Sequence, residues 1–223
     1  MNINLYREDG YSLWVLLKRF PNLLLALGDT TPPDDPSIVV FYRPSFGRLS
    51  DSPTGLSKQF GEFDILIGTP QGVYPIESKP EKCGELDRRT QVMTLREEQV
   101  RRHRIFRTYR SLWQKYQPLN WTSFREVAMG EFSDAHPGWT MPTRQNLLGR
   151  NLEFVLRSLQ NCGDRIQDTV LLFHKPGREV VFTSGQEFGC ITMPLEMVSG
   201  SEFVSVDGNE IRAAMAQSEA STT

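Results

Sequence analysis

One stretch of the chain restricts its fold more than any other: a β-hairpin that carries three charged side chains. Its predicted strands are residues 63–68 and 73–79, and both are rich in β-favouring residues. Residues 69–72 between them contain Pro and Gly, which favour a tight turn. Asp64 interrupts the apolar run of the first strand. Glu77 and Lys79 are two residues apart on the second strand, so their side chains point to the same face.

Two carboxylates and a lysine brought together across a hairpin are suited to metal-dependent phosphodiester hydrolysis. Mg²⁺ polarises a phosphoryl oxygen and lowers the pKa of a bound water, and it prefers oxygen ligands. We therefore predict a Mg²⁺ site, with Mn²⁺ as a substitute, whose ligands are Asp64, Glu77 and the backbone carbonyl of Ser78. For Lys79 three roles stay open: positioning the attacking water, helping to deprotonate it, or stabilising the negative charge that develops.

Composition excludes several other kinds of protein. The 223 residues fit one domain with a buried core, and the net charge of −2 means that affinity for nucleic acid needs a local basic patch. Three scattered cysteines and three scattered histidines argue against disulfides, structural zinc and a histidine-rich metal site. Lys18, Arg19 and Pro21 interrupt the apolar run 13–27, which excludes a membrane span there. We expect a cytoplasmic protein with no membrane partner.

Before the hairpin, the pattern predicts a helix, a strand and a loop. Residues 11–27 have helical spacing, with a break at Pro21. Residues 38–42 form an apolar run typical of a strand buried on both faces. The polar loop 43–59 carries Arg43 and Arg48, which are suited either to contact a phosphate backbone or simply to keep the loop soluble.

After the hairpin, residues 85–116 are predicted to form the longest helix, which ends before Pro118. Its apolar stripe is interrupted at Gln99 and Arg102, with His103 adjoining, so this part of the helix is expected to face a polar site. The same segment is basic, through Arg88, Arg89, Arg96, Arg101, Arg102, Arg104, Arg107 and Arg110. A nucleic-acid surface and a solvated basic face are equally compatible with this run.

The remaining elements are shorter. Residues 119–163 are predicted to form a helical layer inserted into the fold, with a helix capped by Thr143 and ended by Gly163. Strands are expected at 169–173, 179–182 and 190–193, a last helix at 209–217 and a frayed tail at 218–223.

Asp64, twelve further residues and then Glu77-Ser78-Lys79 resemble the motif of the PD-(D/E)XK nuclease superfamily, which has the restriction-endonuclease-like fold. The resemblance implies an α/β fold with an αβββαβ core, in which a mixed central sheet is flanked by helices. A single domain over 1–223 is expected, with the core at about 11–116 and 169–193 and the insertion at 119–163. It also implies that Asp64 and Glu77 bind the metal and that Lys79 is the catalytic lysine. Several branches of the family place a glutamine on the next helix, and Gln99 matches it.

The chain departs from the family pattern at two points. No proline precedes Asp64, and Pro75 lies inside the lysine strand, which predicts an edge strand or a bulge. Glu62 is expected to point away from the site, and Glu8 is a weak candidate for an accessory acid.

The resemblance favours a Mg²⁺-dependent nuclease that cuts DNA, with Arg96, Arg102, His103, Arg43 and Arg48 contacting the nucleic acid. The alternatives are a non-catalytic nucleic-acid-binding or assembly subunit with the same fold, or an unrelated α/β protein with a surface charge cluster. The sequence leaves the oligomeric state open between a homodimer, which cutting both strands often involves, and a complex with a partner protein.

Overall fold

The computed structural model describes residues 2–46, 61–175, 183–184, 188–195 and 203–207. Five helices and eleven strands lie in these residues. In chain order they are β1 Asn2–Tyr6, α1 Arg7–Lys18, α2 Phe20–Ala26, β2 Val39–Tyr42, β3 Ile65–Thr69, β4 Gly72–Pro80, β5 Leu86–Asp87, β6 Val92–Met93, α3 Glu97–Tyr116, α4 Trp121–Ala135, α5 Leu147–Ser158, β7 Arg165–Ile166, β8 Thr169–His174, β9 Thr183–Ser184, β10 Gly189–Pro194 and β11 Phe203–Asp207.

A mixed sheet with the order β10-β8-β4-β3-β2 forms the centre of the described structure. The pairs β2–β3 and β3–β4 are antiparallel, whereas β8 runs parallel to both β4 and β10. The short strand β7 also pairs in parallel with the start of β4. The predicted hairpin is confirmed, because β3 and β4 pair from Ile65↔Ile76 to the turn at Thr69↔Gly72.

Helices cover both faces of this sheet, as the alternation of side chains along β3 requires. Ile65 and Ile67 pack with Trp14 of α1 and Leu23 of α2 on one face. Leu66 packs on the other face with side chains of α3, α4 and α5, among them Phe106, Trp121 and Leu152. The expected α/β class, with an open mixed central sheet flanked by helices, is confirmed. The predicted break at Pro21 is also confirmed, since α2 begins at Phe20.

Strand β2 does not have the predicted burial on both faces. Its residues alternate between half-buried and exposed, with Val40 and Tyr42 about 40% exposed. The reason is its place at one end of the described sheet, where it pairs with β3 alone. The four apolar residues of β2 are therefore explained by their high β propensity and by the packing of one face of the strand, not of both faces.

Pro75 does not lie on an edge strand. Strand β4 is central, with β3 on one side and β7 followed by β8 on the other. The parallel pairing involves Gly72 and Val73 with β7 and resumes at Ile76 with β8. Pro75 therefore lies in the gap between two parallel partners, where a missing N–H donor disrupts no parallel ladder.

The predicted helix 85–116 is shorter than expected at its N-terminal end. Strands β5 and β6 form a small antiparallel hairpin there, and β6 also pairs with β9. Asp87 Oδ1 accepts the N–H of Arg89 at 2.8 Å, and Gln91 has a φ of 60°, so a turn replaces the helix. Helix α3 begins at Glu97 and ends as predicted at Tyr116, followed by Gln117 in the left-handed conformation.

Helices α4 and α5 occupy most of residues 119–163, the stretch that the sequence predicts to be an inserted helical layer. The cap of α5 is Asn146 rather than Thr143, because Asn146 Oδ1 accepts the N–H of Leu148 at 2.9 Å. Gly163 does not end this helix, whose last residue is Ser158. Instead, the Gly163 N–H donates to the Thr69 carbonyl in the β3–β4 turn, 2.9 Å away.

The elements predicted from residue 169 onwards have different outcomes. Strands β8 and β10 confirm those expected at 169–173 and 190–193, whereas the pairing of β1 with β11 was not predicted. The expected strand 179–182, helix 209–217 and tail 218–223 lie outside the described residues. None of the described helices is long and apolar enough to cross a membrane.

Replacing Gly163 with Ala is expected to destabilise the protein by about 1–3 kcal/mol, because the new methyl group overpacks a closed contact. A Cβ at Gly163 would lie 2.5 Å from the carbonyl carbon of Gln71 and 2.8 Å from the nitrogen of Gly72. The matched control is Gly130→Ala in α4, where the new Cβ would have no atom within 4 Å beyond its chain neighbours and the backbone of its own helix. That change is expected to stabilise by about 0.5–1 kcal/mol. Urea unfolding measures both, and equal effects would contradict the tight contact at Gly163.

Candidate active site

The hairpin register brings Asp64 next to the end of β4 that carries Glu77, Ser78 and Lys79. Asp64 comes immediately before β3, and its Oδ2 accepts the backbone N–H of Ser78 at 2.7 Å. The Ser78 hydroxyl is on the opposite face, where it accepts a hydrogen bond from Ser12 of α1 at 2.7 Å. Strand alternation therefore directs Glu77 and Lys79 together to the other side, as predicted.

Glu77 is the centre of the cluster, and its side chain is only 3% exposed. Arg102 Nη1 lies 2.5 Å from its Oε1, and Gln99 Nε2 donates to its Oε2 at 3.4 Å. Burial acts to raise the pKa of Glu77, but His103 and the charge of Arg102 hold this pKa below its usual value. Glu77 is therefore a buried carboxylate that stays ionised because cations and an amide surround it.

Lys79 lies between two carboxylates. Its Nζ is 2.5 Å from Glu8 Oε1, in the first turn of α1, and 3.9 Å from Glu77 Oε2. Burial acts to lower the pKa of Lys79, but the charges of Glu8, Glu77 and Asp64 raise it above its usual value. The lysine is therefore an ammonium ion at neutral pH, which favours charge stabilisation over deprotonation of a water. Glu8, a weak candidate from sequence, is part of the site.

The carboxyl group of Asp64 ionises less readily than that of an ordinary aspartate. Burial, followed by the negative charges of Glu77 and Glu8, raises its pKa to about 7, although Lys79 and the Ser78 N–H act in the opposite direction. Three carboxyl groups thus lie close to one another with two cations, Lys79 and Arg102. When Asp64 is ionised, the three carboxylates exceed these two cations by one negative charge, and in that state an additional cation would bind.

Gln99 reaches the site from the first turn of α3, as expected from the interrupted stripe. Its Oε1 accepts the backbone N–H of Arg96 at 3.0 Å, which helps to cap the helix, while its Nε2 donates to Glu77. The two ends of one amide thus connect the start of α3 to the carboxylate of β4.

His103 does not lie on an exposed surface, as its predicted contact with nucleic acid would require. Its ring is fully buried, edge-on to Phe63 and Phe188, so it lies inside the site region rather than on a surface that nucleic acid can reach. Its Nδ1 is 2.8 Å from Asp168 Oδ1, and its Nε2 is 3.7 Å from Glu77 Oε1, too far for a hydrogen bond. Burial acts to lower the pKa of His103, but Asp168 and Glu77 raise it and favour the protonated ring.

Sequence reasoning missed Asp168, which connects His103 to the surface. Asp168 is 5% exposed and also lies 2.5 Å from Arg107 Nε. The signal that was available is its place immediately before the apolar strand β8, which matches the place of Asp64 before β3. Because β8 is the parallel neighbour of β4, this position lies close to Glu77.

The arginines predicted to contact nucleic acid are distributed among different partners. Arg102 also donates to the Glu62 carbonyl and packs on Gly61, whose φ of +95° and missing Cβ allow this close approach. Arg43 pairs with Asp9 at 2.7 Å and with the Glu62 carboxylate, so Glu62 stays outside the central cluster as expected. Arg96 is largely exposed, with Glu85 3.0 Å away. Arg48 lies outside the described residues.

The basic segment is consequently not one continuous surface. Within α3, Arg110 is fully buried, Arg102 and Arg107 pair with acids of the site region, and Arg101 stacks on Trp139 at 5.4 Å. Arg104 is exposed, as are Arg88 and Arg89 on the β5–β6 turn. The solvated side of the helix is therefore less basic than its sequence indicates.

Among the described residues, no three Asp, Glu, His or Cys side chains have the arrangement of a ready-made metal site. The contacts of the carboxylates give the reason, since Glu77 is directed to Arg102 and Glu8 to Lys79. The donor set itself fits a hard cation, because it consists of carboxylate oxygens and the carbonyl of Ser78.

The raised pKa of Asp64 predicts a pH dependence of stability. Below about pH 7 the folded state binds a proton at Asp64 that the unfolded chain releases near its ordinary pKa, so stability falls as pH rises through this range. Asp64→Asn removes the effect, and the free energy of unfolding of this variant relative to wild type is expected to increase by about 4 kcal/mol between about pH 4 and about pH 8. Exposed Asp134→Asn is the control. Thermal unfolding across pH measures the difference, and a pH-independent difference would contradict the raised pKa.

Comparison of the chain with models of known protein families, with curated proteins and with solved structures found no match.

Proposed function

We propose that the protein is a metal-dependent nuclease that hydrolyses phosphodiester bonds of DNA. The observation that carries this proposal is the cluster that half-buried Asp64, just before β3, forms with the buried Glu77 and Lys79 of β4, with Gln99 bonded to Glu77 from the next helix. These four residues are separated by up to 35 positions in the sequence, and an accidental cluster of surface charges would not bury a carboxylate and a lysine at its centre.

The order of elements supports a restriction-endonuclease-like fold. Helix α1, strands β2, β3 and β4, helix α3 and strand β8 occur in the order helix, three strands, helix and strand, with α2, the two-residue strands β5–β7 and the helices α4 and α5 inserted between them. In the PD-(D/E)XK superfamily, which the motif resembles, the core has this order. The paired β2, β3, β4 and β8 form a mixed sheet, as such a core requires.

Asp64, Glu77 and the Ser78 carbonyl are the proposed ligands of one Mg²⁺ ion. When bound, the ion polarises a phosphoryl oxygen and lowers the pKa of a water molecule. Asp64 is oriented for ligation by the Ser78 N–H, which fixes one of its oxygens. On metal binding Glu77 would exchange its contact with Arg102 for the ion, and the guanidinium would then be available to the phosphate group.

Lys79 is proposed to stabilise the negative charge that develops on the phosphate. It is an ammonium ion, and its buried position makes a charge interaction stronger than it would be in water. Glu8 holds Lys79 Nζ and keeps the side chain directed into the cluster. Gln99 keeps Glu77 in place through the hydrogen bond to its Oε2.

The contact between Glu77 and Arg102 favours a second candidate function, a non-catalytic nucleic-acid-binding or assembly subunit. In that case Arg102 takes the place of a metal ion as the permanent counter-charge of Glu77. The two functions differ in one measurable property, because only the nuclease needs a divalent cation.

We expect purified protein with Mg²⁺ or Mn²⁺ to cleave DNA, and Lys79→Ala to reduce the cleavage rate by about 100-fold or more, as the loss of one charge-stabilising group does. The control is Lys115→Ala, because Lys115 lies at the far end of α3 from the candidate site, is half-exposed and pairs with Glu131 of α4. Linear and plasmid duplexes, single strands and RNA are the substrates. Equal rates for wild type and Lys79→Ala would show that contaminating activity is measured or that the lysine is not catalytic.

Mg²⁺ should also stabilise the fold, independently of any cleavage. At a tenfold excess over its dissociation constant, a cation that binds only the folded state adds about 1.4 kcal/mol to the free energy of unfolding. We expect this increase in wild type and its loss in Asp64→Asn, measured by thermal unfolding with and without EDTA. An unchanged unfolding temperature in wild type, together with retained DNA binding, would favour the non-catalytic subunit.

A further inference from the structure

A cavity of about 390 Å³ lies between the C-terminal half of α3 and the segment that follows α5. It is separate from the candidate active site, since the Gly163 N–H bonds to the β3–β4 turn, at the opposite end of β4 from Lys79. The residues that line it include Arg110, Gln114, Gln117, Gln160, Asn161 and Asp164. Gln160, Asn161 and Asp164 are exposed, so the cavity opens to solvent on their side.

Arg110 forms the inner wall, and its hydrogen bonds are incomplete. The side chain is fully buried, and Nη2 donates to the Cys162 carbonyl at 3.0 Å. Nε and Nη1 have no hydrogen-bond partner among the described residues. Because a guanidinium stays protonated in proteins, the interior contains a cation with two donor nitrogens that have no acceptor.

A buried guanidinium with unpaired N–H groups lowers the free energy of unfolding unless an acceptor binds to those groups. A buried charge without a partner destabilises a fold, and each unmet donor adds a desolvation penalty. In the described part of the chain, no carboxylate forms an ion pair with Arg110. Asp164 is the acid on the cavity wall, and its Oδ1 is 2.5 Å from Gln114 Nε2. The cavity therefore presents a buried positive charge beside several side-chain amides.

We propose that this cavity binds a small carboxylate, whose oxygens accept the N–H groups of Arg110 that lack partners and whose other polar groups meet the amides of Gln160 and Asn161. Charge favours a carboxylate over a phosphate. A single guanidinium neutralises one negative charge, and a dianion would leave the second charge close to Asp164. The four amides on the wall both donate and accept hydrogen bonds, which suits a ligand with amide or hydroxyl groups.

The proposal does not depend on the nuclease function, because the two sites share no residue. It identifies a second binding site on the same helix, seven residues beyond His103. Ligand binding there is expected to order the end of α3 and the β3–β4 turn, to which Gly163 is bonded.

Titration of the full chain with N-acetylglycine tests this inference, with N-acetylglycinamide as the uncharged analogue and inorganic phosphate as the competing class of anion. Calorimetry and the shift in unfolding temperature give the affinity. We expect saturable binding of N-acetylglycine and none of the amide. Arg110→Met, which keeps an unbranched apolar stem and removes the guanidinium charge, should weaken binding at least about tenfold. Arg104→Met, an exposed arginine of the same helix, should leave binding unchanged.

Asn161→Trp is the second variant, because it fills the entrance from an exposed position and leaves Arg110 in place. It should also abolish binding, and it decides the test if Arg110→Met does not fold. Equal binding of N-acetylglycine and its amide would overturn the role of Arg110, and preference for phosphate would overturn the carboxylate class. No binding of any probe to wild type, or unchanged binding by Asn161→Trp, would overturn the site itself.

Discussion

The structure around the candidate active site depends on keeping one carboxylate ionised inside the protein. Glu77 occupies a central strand, where the cost of an unpaired charge would be several kcal/mol. Arg102 and Gln99 of α3 and Lys79 of β4 supply the compensation, and His103 adds a contact at longer range. These partners can meet Glu77 only if α3 begins close to the end of β4. The short β5–β6 hairpin between these elements provides that placement, since it takes up the chain that a longer helix would have used.

The parts of the site that were predicted from sequence are those in which local pattern and chemistry agree. The hairpin, the shared face of Glu77 and Lys79 and the inward position of Gln99 follow from periods of two and of 3.6 residues. Asp168 was missed because its partner His103 is 65 positions away, and no local period connects the two. The burial of His103 and Arg110 was missed for a related reason. A charged residue on a helix is assigned to solvent unless its partner is known.

The errors in the fold also share a cause. Strands of two residues, such as β5, β6 and β7, are too short to produce an alternating pattern, and their pairing is decided by the chain around them. The pairing of β1 with β11 joins residues about 200 positions apart. Pro75 indicated an edge because the rule for proline assumes a continuous ladder on both sides of a strand. Here the ladder changes partner from β7 to β8, and this change provides a tolerant position in the middle of the sheet.

Gln99 has a consequence for which residue types this position accepts. Its Oε1 accepts the N–H of Arg96 at the start of the helix, and its Nε2 donates to the buried carboxylate of Glu77. The side chain at this position must therefore both accept and donate a hydrogen bond, and it must have the length of glutamine. Glutamate would retain the first contact and place like charges together at the second, and lysine would retain only the donor. A change that conserves size or charge is therefore not conservative here. The same amide connects the start of α3 to the hydrogen bonding of Glu77. A change in what the Glu77 carboxylate binds would therefore alter the hydrogen bonds in the first turn of α3.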